Sequence, residues 1–148
     1  MSWLPKQTVL VPIDFSEESF NALDVARSLV QDLSSLHLVH VTEDLIEHAY
    51  GDIWGETKAE ERTKVIQEYL YEKLKTMSYQ DLQFAIRVGS PPVEILSYAK
   101  EIQAELIVMP SHGRTGIKHF ALGSVAERVV RRAHCPVLVL RAEDKKKH

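Results

Sequence analysis

The 148-residue chain has a single cysteine, Cys135, so no internal disulfide can form and the fold must rest on a packed core. It also lacks any run of about 18 apolar residues, which removes a membrane-crossing helix from consideration. The opening Met1-Ser2-Trp3-Leu4-Pro5-Lys6 has no apolar stretch of the kind a secretory signal needs. With the lone thiol, that reads as a cytoplasmic location. Excess positive charge is missing too: 18 lysines and arginines face 21 aspartates and glutamates, a formal charge of −3. Such a balance offers no general face to nucleic acid or to an anionic membrane, and it confines any anion site to a local feature. No internal repeat, low-complexity segment or inter-domain linker is evident. The composition, 45% hydrophobic and 26% charged, therefore fits one soluble domain over residues 1–148, with a charged, frayed tail at 142–148.

What is present is an alternation of short apolar runs with helical patterns. Thr8-Val9-Leu10-Val11-Pro12-Ile13 is almost continuously apolar, as a strand covered on both faces should be, and Pro12 marks its carboxyl end. Ser16 followed by Glu17 and Glu18 supplies a capping hydroxyl and first-turn acids for a helix. That helix is expected to bury Phe20, Leu23, Ala26, Leu29, Val30 and Leu33. Leu36 to Val41 reads as a second strand, and residues 42–57 as an irregular, mobile loop. A charged helix follows, with Val65, Ile66, Tyr69, Leu70, Leu74 and Met77 on one face. Phe84 to Val88 is a third strand, and Pro92 opens another helix. Leu106 to Met109 is the fourth strand, Val125 to Ala133 an amphipathic helix, and Pro136 to Arg141 the last strand. The pattern predicts an α/β fold, a single three-layer domain with a parallel sheet and helices on both faces. Ligands of such sheets bind beyond the carboxyl ends of the strands, where the order reverses. Pro12 to Asp14, Val41 to Glu43 and Met109 to Gly113 should therefore converge.

The segment Ser111-His112-Gly113-Arg114-Thr115-Gly116, continued by Leu122-Gly123-Ser124-Val125, lies between a strand and a helix N-terminus. Backbone N–H groups of Gly123, Ser124 and Val125 are expected to lack intrahelical partners there, and the helix dipole favours negative charge. Phosphate is the indicated guest. Arg114 either reaches that phosphate or extends into solvent.

These residues together resemble the universal stress protein family over essentially the whole chain. The matching segments are Val9 to Asp14, His40-Val41, the glycine loop, and His134-Cys135-Pro136-Val137-Leu138-Val139. The family's ATP-binding branch carries Gly-x2-Gly-x9-Gly-Ser/Thr, which aligns here on Pro110, Gly113, Gly123 and Ser124. The resemblance implies a five-stranded parallel sheet of order 3-2-1-4-5. It also implies a stress-response protein that binds ATP as a homodimeric switch or sensor, pairing with its mate through the last strand, Pro136 to Arg141, and read by a further protein partner. Pro12, Asp14 and Val41 would hold adenine and the neighbouring sugar. Pro110 and Ser111 would lie along the ribose, and Gly113, Gly123, Ser124 and Val125 would wrap the phosphates; Met109 and Arg114 are counted with them as candidate nucleotide-binding residues. Magnesium could accompany the nucleotide through phosphate oxygens and water. Proline at position 110 departs from the family's glycine, surrendering an N–H and glycine's conformational freedom. One lost neutral hydrogen bond, about 0.5–1.5 kcal/mol, weakens binding roughly tenfold without abolishing it.

Other motifs point away from vigorous catalysis. There is no Gly-Lys-Ser/Thr of a Walker loop and no Gly-x-Gly-x-x-Gly after the first strand. No lysine is placed to bridge phosphates and no acid to position water, which leaves at most slow hydrolysis. His112 has no nucleophile with a positioned carboxylate nearby and reads as a phosphate neighbour rather than a general base. His37 and His40 are assigned to one face of a strand, and without a third ligand near them no metal site is expected. Cys135 reads as a small core residue, and Arg128, Arg131 and Arg132 as a solvated helix face. A nucleotide-independent interaction module with a degenerate phosphate loop is the alternative that Pro110 keeps open.

Overall fold

The apolar runs become strands and the amphipathic runs helices, in strict alternation. The computed structural model describes residues 2–43, 55–112 and 122–141. Its elements are β1 (Val9–Pro12), α1 (Glu17–Arg27), β2 (Leu36–Thr42), α2 (Gly55–Thr76) and β3 (Gln83–Val88), followed by α3 (Pro91–Glu101), β4 (Leu106–Pro110), α4 (Ser124–Arg132) and β5 (Val137–Leu140). The strands form one sheet of order β3-β2-β1-β4-β5, with every neighbouring pair parallel. Successive strand residues face opposite sides, which divides the interior into two layers. Val9, Val11, Leu36, Leu38, Leu106 and Val108 pack with Phe20 and Leu23 of α1 and with Leu70 and Leu74 of α2. Leu10, Val39, Ile107 and Met109 pack with Ile95 and Ala99 of α3 and with Ala126 and Val129 of α4. This is the three-layer α/β domain and strand order expected.

Several boundaries differ from the sequence reading for identifiable reasons. Ser16 does cap α1, accepting from the Ser19 amide at 3.1 Å. The helix nevertheless ends at Arg27, where the Ser28 hydroxyl donates to the Val25 carbonyl at 2.6 Å. Leu29, Val30 and Leu33 therefore pack from the connection to β2, not from α1. β2 continues through Thr42 and α2 begins at Gly55, so both ends of the expected loop are regular. Its centre, residues 44–54, lies outside the described residues, as does the tail 142–148.

On α2, Leu70 and Leu74 are buried, whereas Val65 and Tyr69 are 63% and 57% exposed. A helix of 22 residues is about 33 Å long, far more than the roughly 20 Å of the strands beneath it. Among its described side chains, those that reach the core, Leu70 and Leu74, belong to its later turns. His37 and His40 are three residues apart in β2 and so occupy opposite faces, correcting their assignment to one. His40 joins the α1–α2 side, where it stacks on Phe15. Nδ1 of His37 is buried without a hydrogen-bond partner.

Two expectations follow. Leu10, fully buried at the centre of the sheet, should lose about 2–5 kcal/mol of stability on Leu10→Ala, while Val65→Ala stays within about 0.5 kcal/mol, both read by urea unfolding. Burial holds the His37 imidazole below its ordinary value of 6.5. The unfolded chain then binds more protons than the folded one just below that pH, so stability is lost as pH falls through it. Unfolding curves between about pH 7.5 and 5 should show this slope, and His37→Leu should flatten it.

Candidate functional site

β1 and β4 share only a short ladder, Val9 with Leu106 and Leu10 with Ile107, before they part. On their outer sides each stays paired to its end: Pro12 with Val39 of β2, and Pro110 with Leu140 of β5. Beyond Pro12 the chain leans toward β2, the Ile13 amide donating to the Val39 carbonyl at 2.8 Å. A cleft of about 740 Å³ opens between the separated strand ends. Pro12, Ile13 and Asp14 line it from β1, Val39 to Glu43 from β2, and Met109, Pro110 and His112 from β4. Leu122 to Ala126 close it from the start of α4, with Pro91 and Ile95 contributed by α3.

Asp14 combines two roles. Its Oδ1 accepts from the Ser16 amide at 3.0 Å and from the Ser16 hydroxyl, fixing the turn that starts α1. Ser19 tightens the same turn, donating from Oγ to the Ser16 carbonyl at 2.9 Å. Anchored in this way, Asp14 still faces the cleft. The neighbouring Phe15 is held at φ 67°, a left-handed conformation that is strained for a bulky side chain. Its ring lies 4.5 Å from that of His40 and 5.1 Å from that of Tyr69. His40 secures the turn from below, donating from Nδ1 to the Ile13 carbonyl at 2.7 Å.

The opposite wall differs from expectation in one respect. The Gly123 amide is not free; it donates to the Ser111 carbonyl at 2.8 Å. Gly123 caps α4, and an added Cβ there would meet that carbonyl oxygen at 3.1 Å. Close approach of two backbones is what requires glycine. The amides of Ser124, Val125 and Ala126, the first turn of α4, remain without intrahelical partners at the positive end of the helix dipole. Ser111 is 5% exposed and does not line the cleft; its hydroxyl pairs with His112 Nδ1 at 3.1 Å.

Pro110 sits within β4, extending the strand one residue past the expected end. Ile107 and Ser111 donate toward β5, to Pro136 and Leu140 at 3.0 and 2.8 Å. By alternation the ring nitrogen of Pro110 faces β1, where the ladder has already parted. The missing N–H therefore breaks no sheet hydrogen bond. Gly113 and Arg114 lie outside the described residues. Of the other expected site residues, Pro12, Asp14, Val41, Met109, Pro110, Gly123, Ser124 and Val125 come together around the cleft. Ser19, His40, Pro91, Ile95, His112, Leu122 and Ala126 line it as well and were not on that list. For Ile95 and Ala126 the signal was available, since each begins the inner face of a helix that starts at the sheet's carboxyl edge.

A parallel sheet that parts between its two central strands, with a helix N-terminus aimed into the opening, defines a doubly wound α/β domain with a ligand crevice at its switch point. Comparison with known proteins gives the family. The model of the universal stress protein family matches residues 6–141. The universal stress protein MJ0531 of Methanocaldococcus jannaschii is 31% identical over 93% of this chain and 83% of its own. The structure of MJ0577, from the same organism, superposes with a TM-score of 0.80 at 26% identity, covering 96% of this chain and 100% of that one. A universal stress protein crystallised in complex with cAMP superposes at 0.59 and 25% identity, over 92% of this chain and 97% of its own. The chain belongs to the universal stress protein family.

Gly123→Ala tests the cap. The added methyl presses on the Ser111 carbonyl, so the substitution should cost about 1 kcal/mol in urea unfolding and raise hydrogen exchange at the residue 123 amide.

Proposed function

We infer that this stress protein binds an adenine nucleotide in the cleft and acts as a nucleotide-responsive switch or sensor rather than as a metabolic enzyme. The observation that carries this reading is the separation of β1 from β4 opposite the first turn of α4. It sets three amides that lack intrahelical partners across an apolar opening from Asp14. Amides at a helix N-terminus suit phosphate. Val41, Ile95 and Met109 offer apolar surface to a base, and Asp14 offers an acceptor to sugar hydroxyls. The complex of a relative with cAMP supports the same class of ligand. ATP is the nucleotide we favour, with magnesium entering on its phosphates rather than in a protein cage.

Among the described residues no strand pairs with the outer edge of β5, and Leu138 on it is 36% exposed. An unpaired, apolar edge strand is a template for strand addition. A homodimer formed through Pro136 to Arg141 in a cytoplasmic protein is the assembly proposed, its nucleotide-dependent surface read by a protein partner. A second reading, a nucleotide-independent interaction module, draws on the Gly123–Ser111 hydrogen bond, which removes one of the amides expected to meet phosphate.

The experiment that separates them is Ser124→Pro. Proline is favoured at the first position of a helix, so the substitution deletes one amide donor and leaves α4 intact, with Ser124→Ala as the control for the hydroxyl lost at the same time. Calorimetry with ATP and AMP should show affinity falling about tenfold, the loss of one hydrogen bond to a charged group, with stability unchanged. Absence of binding by the unaltered protein at millimolar nucleotide would leave the interaction module standing.

A further inference from the structure

We propose that His112 is a phosphate-binding residue of the cleft, and that it takes up a proton when a phosphate-bearing ligand binds. The proposal rests on the nucleotide reading above and adds to it a residue and a pH dependence.

His112 follows β4, lines the cleft, and packs against the α4 cap: a Cβ on Gly123 would lie 3.6 Å from its Cδ2. What distinguishes it is the partner on its other nitrogen. His40 Nδ1 and His134 Nε2 are both bound to carbonyl oxygens, of Ile13 at 2.7 Å and Ala104 at 3.1 Å. A carbonyl only accepts, so each of those nitrogens must keep its hydrogen. His112 Nδ1 instead meets the Ser111 hydroxyl at 3.1 Å, on a residue that is 5% exposed. A hydroxyl donates or accepts. In the neutral tautomer that carries its hydrogen on Nε2, Nδ1 accepts from the Ser111 hydroxyl and Nε2–H is left to donate. With His112 protonated, Nδ1 donates and the hydroxyl turns to accept. Protonation keeps the Nδ1–Oγ contact and reverses its direction.

Charge around the ring sets when that happens. The positive end of α4 lies beside it. Asp14 and Glu43 share the cleft from the β1 and β2 ends. On α4 the nearest acid, Glu127, is already paired with Arg131 at 3.4 Å, and Arg128 adds a further positive charge to that helix. A phosphate against the amides of Ser124 to Ala126 reverses the balance. It supplies the anion that makes an imidazolium favourable, and Nε2–H becomes a charge-assisted donor. The proton comes from solvent.

The test is calorimetry with AMP in two buffers of different ionisation enthalpy, which counts protons exchanged on binding, on the unaltered protein and on His112→Gln. The phosphate and the imidazole titrate as a coupled pair, so the difference between the two proteins reports the protons gained by that pair when His112 is present. The unaltered protein should take up protons near pH 7 that H112Q does not. From pH 8 to pH 6 its affinity should also gain about fivefold relative to H112Q, the difference between a charged and a neutral hydrogen bond. Adenosine, which has no phosphate, should show no such difference between the two proteins, and this arm checks that H112Q retains an intact cleft. Equal proton exchange with AMP bound to both overturns the role of His112 and leaves nucleotide binding standing. Failure of both AMP and adenosine to bind the unaltered protein overturns the nucleotide reading and this inference with it.

Discussion

Everything about the cleft depends on how early β1 and β4 stop sharing hydrogen bonds. Two paired positions hold the middle of the sheet together, and then each strand remains bonded only to its outer neighbour. The gap is therefore made by backbone geometry and is not carved by small side chains. Elements that follow these strands have to pass the gap, which is why the β1–α1 turn and the start of α4 become its walls. Natural right-handed twist and the reversal of strand order make this the place where an α/β sheet opens.

The strands were legible because each is a short apolar run bounded by polar or turn residues, and alternation within β1 and β4 feeds both core layers at once. The convergence of Pro12, Asp14, Val41 and Met109 followed from that topology alone. The Gly123–Ser111 hydrogen bond was not legible. It joins two backbone groups well separated in sequence, and no side-chain pattern reports such a contact. The same holds for the end of α1, where apolar spacing continues past Arg27 but a serine hydroxyl has already closed the helix. Periodicity records which residues seek the core; it does not record which secondary element carries them there.

Pro110 illustrates how a departure from a motif can be absorbed by its surroundings. In a strand bonded on both sides, proline would leave a carbonyl without its donor. Here its nitrogen faces the side on which β1 has turned away, while the Ser111 amide next to it still reaches Leu140. The residue is extended, so glycine's left-handed freedom is not called for at this position. What the ring changes is the shape of the cleft wall, since Pro110 is one of its lining residues.

The left-handed Phe15 has a consequence for the outer surface. Its ring stands between His40, inside the domain, and Tyr69, which is more than half exposed on α2. These three rings form a strut that runs from solvent to the residue next to Asp14. Position 69 thus answers to the interior: its freedom to vary is set by the shape of a turn on the far side of Phe15, not by the water around it.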